Sequence, residues 1–198
     1  MVAIDIETTG PVVSQDELYQ LSIMPLNSKL EYDKSRRFLN LFIRPECKTF
    51  IARENTGRKE RFIQAKLHGL EKQTALEVID KWADSLDIRQ PGMIRNKKLM
   101  PLTHNWAWKR AFLVDFLGLE FFDDLFHWHA RDLIVAGAFC NDRAEFRGDD
   151  EHFLKLTLAS LSSKLEVKNP YPDDPAQDVQ HFAALYRAMI LWPLGEIV

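Results

Sequence analysis

Apolar and polar positions alternate through the first residues of the chain: Val2, Ile4 and Ile6 fall on one side, Asp5 and Glu7 on the other, and Thr8-Thr9-Gly10 ends the run. A period of two predicts a strand whose faces differ in character. Residues 17–26 and 36–44 read as two further strands, with turns at Asn27-Ser28 and Asp33-Lys34, so three antiparallel strands open the fold. The period then lengthens. Over 74–86, Leu76, Ile79, Trp82, Ala83 and Leu86 recur at helical spacing, and a loop containing Pro91-Gly92 and basic residues follows.

Residues 99–103 form a short apolar run consistent with a buried strand, and His104-Asn105-Trp106 opens a helix that continues to Leu117 and stops at Gly118. Residues 126–130 read as another short strand. Helices are predicted over 132–139, over 154–165 with Leu154, Leu158, Leu161 and Leu165 on one face, and over 177–192. Strands alternating with helices imply an α/β fold: a mixed sheet of three antiparallel strands and then short parallel ones, flanked by helices. At 198 residues the chain suits one domain spanning 1–198.

Composition narrows the class. Hydrophobic residues make up 46% and charged residues 28%, with 13 Phe and 5 Trp, an ordinary globular balance. No apolar run approaches the roughly 20 residues that span a bilayer, and the chain opens in a strand rather than a basic leader. A cytoplasmic protein without membrane contact is expected. Cys47 and Cys140 lack Cys-x-x-Cys spacing, so they read as buried thiols and not as a disulfide framework or zinc ribbon. A net charge of -3 argues against coating nucleic acid by charge alone. It does not exclude a metal-dependent nuclease, which concentrates acids around its cations.

Asp5 and Glu7 share one strand face about 6.6 Å apart along the backbone. Two acids so placed converge on one cation, and with no Cys or His beside them Mg²⁺ or Mn²⁺ is the guest that fits. Residues 53–72 carry six basic residues (Arg53, Arg58, Lys59, Arg61, Lys66 and Lys72) interleaved with Phe62, Ile63 and Leu67. This stretch reads either as a basic rim for a phosphate backbone or, preferably, as the solvated face of a helix with its apolar residues inward.

Asp5-Ile6-Glu7-Thr8-Thr9-Gly10 resembles the first motif of the DnaQ-like, or DEDD, superfamily of 3'-5' exonucleases. The second motif of that superfamily, roughly His-Asn-x-x-Phe-Asp at a helix start, is similar to His104-Asn105-Trp106-Ala107-Trp108-Lys109, with Lys109 in the place of the metal-binding Asp. The third is matched by Asp178, while Asp173 and Asp174 stand where the two branches of the superfamily carry a His or Tyr base. The stretch from Pro101 to Leu165 looks like phage and prophage members, so the resemblance covers nearly the whole chain.

The resemblance implies a ribonuclease H-like fold, metal ligation and catalysis by Asp5, Glu7 and Asp178, and contact with the 3' end of single-stranded DNA or short RNA by Thr8, Thr9, His104, Asn105 and Lys109. The departures alter the chemistry. Two-ion hydrolysis needs a carboxylate where Lys109 stands, and cations 4 Å apart repel by about 4 kcal/mol per unit charge at a surface-like dielectric. One ion is expected and a second should bind poorly, unless the Lys109 ammonium substitutes for it as a point charge on a phosphate oxygen. His181, three residues after Asp178, is either a relocated base or, preferably, a packing residue. His127, His129 and His152 read as structural. Two functions follow: a weak metal-dependent 3'-5' exonuclease, or an inactive pseudonuclease that binds nucleic acid or a protein partner, in phage replication or counter-defence.

Overall fold

Alternation in the opening strand places it at the middle of a sheet whose two faces are both covered. The computed structural model describes residues 1–46, 56–86, 88, 98–150, 152–169 and 173–192. Among these residues five strands, β1 (Val2–Thr8), β2 (Leu18–Pro25), β3 (Leu39–Phe42), β4 (Pro101–Thr103) and β5 (Arg131–Asp132), form one sheet in the spatial order β3-β2-β1-β4-β5. β1 and β2, and β2 and β3, pair antiparallel; β1 and β4, and β4 and β5, pair parallel. The expected mixed sheet, antiparallel first and parallel afterwards, is the one observed.

Among the described residues seven helices accompany it: α1 (Thr56–His68), α2 (Lys72–Asp84), α3 (Trp106–Leu117), α4 (Leu119–Leu125), α5 (Leu133–Arg147), α6 (Leu158–Lys164) and α7 (Pro175–Leu191). Val2, Ile4 and Ile6 bury against Ile79 and Trp82 of α2 and Phe112 and Leu113 of α3. The opposite face begins with Ala3, clustered with Leu133 of α5 and Val179, Phe182 and Leu185 of α7. A methyl group there lets α7 lie close to the strand, and the same face continues into Asp5 and Glu7. Ser22 and Gln20 stand opposite Asp5 and Glu7 on β2, and both side chains donate to Asn40 Oδ1 on β3, at 2.9 and 3.1 Å. A polar stripe thus crosses an otherwise apolar sheet.

Several local expectations are corrected. Residues 126–130 form no strand: only Phe126 bridges Leu99, and the second parallel strand is Arg131–Asp132. Gly118, at φ 80°, ends α3 and allows the chain to restart as α4, which buries Phe122 and Leu125, so the apolar content is used by a helix. The helix expected over 154–165 spans only Leu158–Lys164. Thr157 caps it by accepting from Ser160 N at 3.3 Å, and Leu154 is left 87% exposed. β3 is shorter than the predicted 36–44. Cys140 is buried as expected, whereas Cys47, Arg53 and the Pro91-Gly92 loop lie outside the described residues. Among the described residues no helix is long and apolar enough to cross a membrane.

Candidate functional site

The sheet reverses its pairing sense at β1, and the carboxyl ends of β1 and β4 open there into a cleft of about 510 Å³. Ligand sites of open α/β sheets form at such switch points, because adjacent connections leave in opposite directions. Asp5, Glu7 and Thr8 enter the cleft from β1, His104, Asn105 and Lys109 from the β4–α3 junction, and Asp178 from α7. Of the residues expected from sequence, only Thr9 stands apart from the cleft. It is fully buried, accepts from Glu17 N at 2.9 Å and contacts Asp16 Oδ1 at 3.4 Å, holding the loop after β1. Asp16 also accepts from Val12 N at 2.8 Å, and Trp108 Nε1 donates to Pro11 O at 3.2 Å, which ties that loop to α3.

Lys109 occupies the centre. It is 6% exposed, and its Nζ lies 2.8 Å from Asp5 Oδ1, 2.7 Å from the His104 carbonyl and 3.1 Å from Thr103 Oγ1. An ammonium carries three N–H donors, so these partners use all of them. Thr103 in turn donates to the Ile4 carbonyl at 2.8 Å, fixing the acceptor between β1 and β4, and the ring of Phe182 lies with its centroid 4.7 Å from Nζ. The Asp5–Lys109 pair is therefore desolvated, hydrogen-bonded and held from both sides.

Glu7 is paired by α1. Arg58 Nε is 3.3 Å and the Arg61 terminal nitrogen 3.8 Å from Glu7 Oε1, and Arg58 also reaches Asp173 Oδ1 at 3.1 Å. Arg61 donates to the Asp173 carbonyl as well. The helix predicted as a solvated face thus turns two arginines inward, a correction to the preferred reading of 53–72. Burial outweighs both guanidinium groups and lifts the Glu7 carboxyl to about 8. Asp178, 5% exposed, accepts from Asn169 Nδ2 at 2.6 Å; burial first, and the negative charge of Asp5 second, raise it to about 7.

The backbone of the second motif is set by a residue the sequence reading did not single out. Asn105 takes φ 64° at the start of α3, and Asp132 accepts from Asn105 N at 3.0 Å and Trp106 N at 2.7 Å while capping α5 through Ile134 N at 2.9 Å. His104 Nε2 lies 2.8 Å from the Leu156 carbonyl, and burial lowers its pKa. His181 is buried with Nε2 2.6 Å from Ser162 Oγ on α6. Asp174 caps α7 through Ala176 N at 3.1 Å, and Asp173, at φ 64°, precedes it.

A divalent ion needs carboxylate oxygens that no protein cation holds. Here Lys109 holds one oxygen of Asp5, and Arg58 and Arg61 hold one of Glu7, while Asp178 Oδ1 accepts from the neutral amide of Asn169. Among the described residues no three His, Cys, Asp or Glu side chains are arranged to hold an ion. At an effective dielectric near 20, a dication 4 Å from the ammonium is opposed by about 8 kcal/mol. Lys109 in this position opposes a Mg²⁺ or Mn²⁺ at the same point.

The fold is a ribonuclease H-like α/β fold. Solved structures of Escherichia coli exonuclease I superpose on it: the complex with a dT13 oligonucleotide has a TM-score of 0.62 at 13% identity over 94% of this chain, and another exonuclease I structure has 0.65 at 13% over 96%. One chain in the structure of the yeast NOT1 MIF4G domain co-crystallised with CAF1 gives 0.61 at 11% identity over 96% of this chain and 79% of its own. The chain spans 40% of the length of those two exonuclease I chains. No family model and no curated protein sequence matches it.

Proposed function

We propose that this chain binds the 3' end of single-stranded nucleic acid in an exonuclease-type cleft without hydrolysing it, protein cations taking the role that metal ions have in the superfamily it resembles. The observation that carries this reading is the Lys109 ammonium, saturated by Asp5, Thr103 and His104 where that resemblance calls for a metal-binding carboxylate. Arg58 and Arg61 supply positive charge for phosphate oxygens, and Trp108 lines the cleft as an aromatic surface for a base. None of these groups ionises water at neutral pH as a bound metal does. Exonuclease I, whose fold this chain shares, is solved with a dT13 oligonucleotide in place.

A second reading is favoured by one observation, the shared position of Asp5, Glu7 and Asp178 on a single cleft. Under it, one Mg²⁺ or Mn²⁺ displaces Lys109 and the chain is a slow 3'-5' exonuclease. A 5'-labelled (dT)10 incubated with excess protein in Mn²⁺ separates the two. Binding with no shortening supports the first reading, and shortening that Asp5→Ala abolishes overturns it. The first reading also expects Lys109→Asp combined with Asp173→His to create nuclease activity from none.

A further inference from the structure

Arg58 and Arg61 stand three residues apart on α1, so both guanidinium groups leave the same face of the helix. Each is held from two sides. On the inner side lies Glu7, 7% exposed; on the outer side lies Asp173, whose side chain is 41% exposed and whose carboxylate and carbonyl receive Arg58 and Arg61 respectively. These partnerships differ in kind. Removing a buried partner strands a charge, whereas an exposed pair at a cleft mouth exchanges with other anions at little cost.

We propose that Arg58 and Arg61 form a metal-independent phosphate clamp, and that Asp173 is its internal stand-in, displaced when a phosphate enters. The source of that phosphate as a strand of nucleic acid rests on the function proposed above; the clamp itself does not. Planar guanidinium forks match a tetrahedral oxyanion as well as they match a carboxylate. Arg58 and Asp173 line the same cleft, so a phosphate replacing Asp173 meets the guanidinium groups of α1. Among the described residues, the titratable groups facing the pair include Glu7 and Asp5 from β1, Tyr19 from β2 and Asp178 from α7. A phosphodiester carries one negative charge, as the Asp173 carboxylate does, so it can take that carboxylate's place against Arg58 while Asp173 turns to solvent. Asp173 also holds φ 64°, which asparagine tolerates equally, so Asp173→Asn removes the charge without disturbing the turn before α7.

The test is fluorescence anisotropy of 5'-fluorescein-(dT)10 in EDTA over a salt series. Asp173→Asn is expected to bind several-fold more tightly than the unaltered chain. Arg58→Gln and Arg61→Gln are expected to bind about tenfold more weakly, each with a shallower salt dependence. If all three variants bind like the unaltered chain, the clamp is wrong and strand-end binding stands. In parallel, the arginine Nε–H resonances are followed by NMR while inorganic phosphate is added to Asp173→Asn. A shift without any (dT)10 binding keeps the clamp for free phosphate and sinks strand-end binding. Neither a shift nor binding sinks both.

Discussion

Lys109 Nζ lies 2.8 Å from Asp5 Oδ1 in a setting where both side chains are less than one tenth exposed. A buried pair of this kind is costly to break on one side, because the remaining charge has no water to turn to. Lys109→Met is expected to destabilise the chain by roughly 3–5 kcal/mol. The double variant Asp5→Asn, Lys109→Met should recover most of that loss. Urea unfolding of the four proteins of the cycle measures the coupling; additive single effects would show that the pair is not a unit.

Lys109→Asp adds a fourth carboxylate to Asp5, Glu7 and Asp178 in the cleft. Without metal this variant should unfold more easily than the unaltered chain, and Mn²⁺ should restore it, by about 2.7 kcal/mol at a hundredfold excess over the dissociation constant. The unaltered chain should show no such Mn²⁺ dependence. Thermal unfolding with and without the ion reads the difference, and equal shifts in both proteins would refute the displacement of metal by Lys109.

Stability should fall as pH rises across the neutral range. Glu7 and Asp178 have folded-state pKa values raised above their ordinary ones, to about 8 and about 7, with burial the first cause of each. Such groups favour the folded state most below their unfolded values near 4, and that advantage is lost as pH climbs through the folded values. The window is therefore about pH 4 to 8, with Glu7 governing its upper end. Glu7→Gln should flatten the decline between pH 7 and 8 in urea unfolding, and an unchanged slope would argue against a buried neutral Glu7.

Gly10 is required by a close approach. A Cβ at this position would lie 2.4 Å from Asp16 Oδ1, the carboxylate that also organises Val12 and Thr9. Gly10→Ala is expected to cost about 1–3 kcal/mol through overpacking and loss of those bonds. Its reading is the unfolding midpoint, and a neutral substitution would mean that the loop relaxes freely.

Asp132 joins three amides of two helices, so Asp132→Ala should cost about 1–2 kcal/mol from the lost α5 cap alone, with the release of Asn105 and Trp106 in addition. Amide hydrogen exchange at Asn105 and Trp106 should accelerate. Unchanged exchange there would confine Asp132 to capping α5.

Most of the architecture was legible along the chain, for a local reason. Period-two alternation at Val2 to Glu7 and helical spacing from Leu76 to Leu86 reflect how side chains leave the backbone, which neighbouring residues alone decide. The failures were also local conflicts. The Phe and Trp content around 126–130 suits a strand as well as a turn, and only the restart of the chain after Gly118 directs Phe122 and Leu125 into α4. The leucine repeat from Leu154 did not reveal that the helix begins at its Thr157 cap.

At the site the division is sharper. The sequence alone drew attention to the acids of β1, to Lys109 and to Asp173, and the structure brings all of them to one cleft. The sequence was silent on where each charge goes. That Lys109 fills the cleft instead of facing solvent, and that Arg58 and Arg61 reach Asp173 across 115 and 112 residues, depends on how sheet order and the approach of α1 and α7 bring distant segments together. Arg58 and Arg61, three apart beside Phe62, were the available hint. Backbone periodicity is settled by neighbours in the chain; a charge finds its partner only after folding has removed water and chosen who stands opposite.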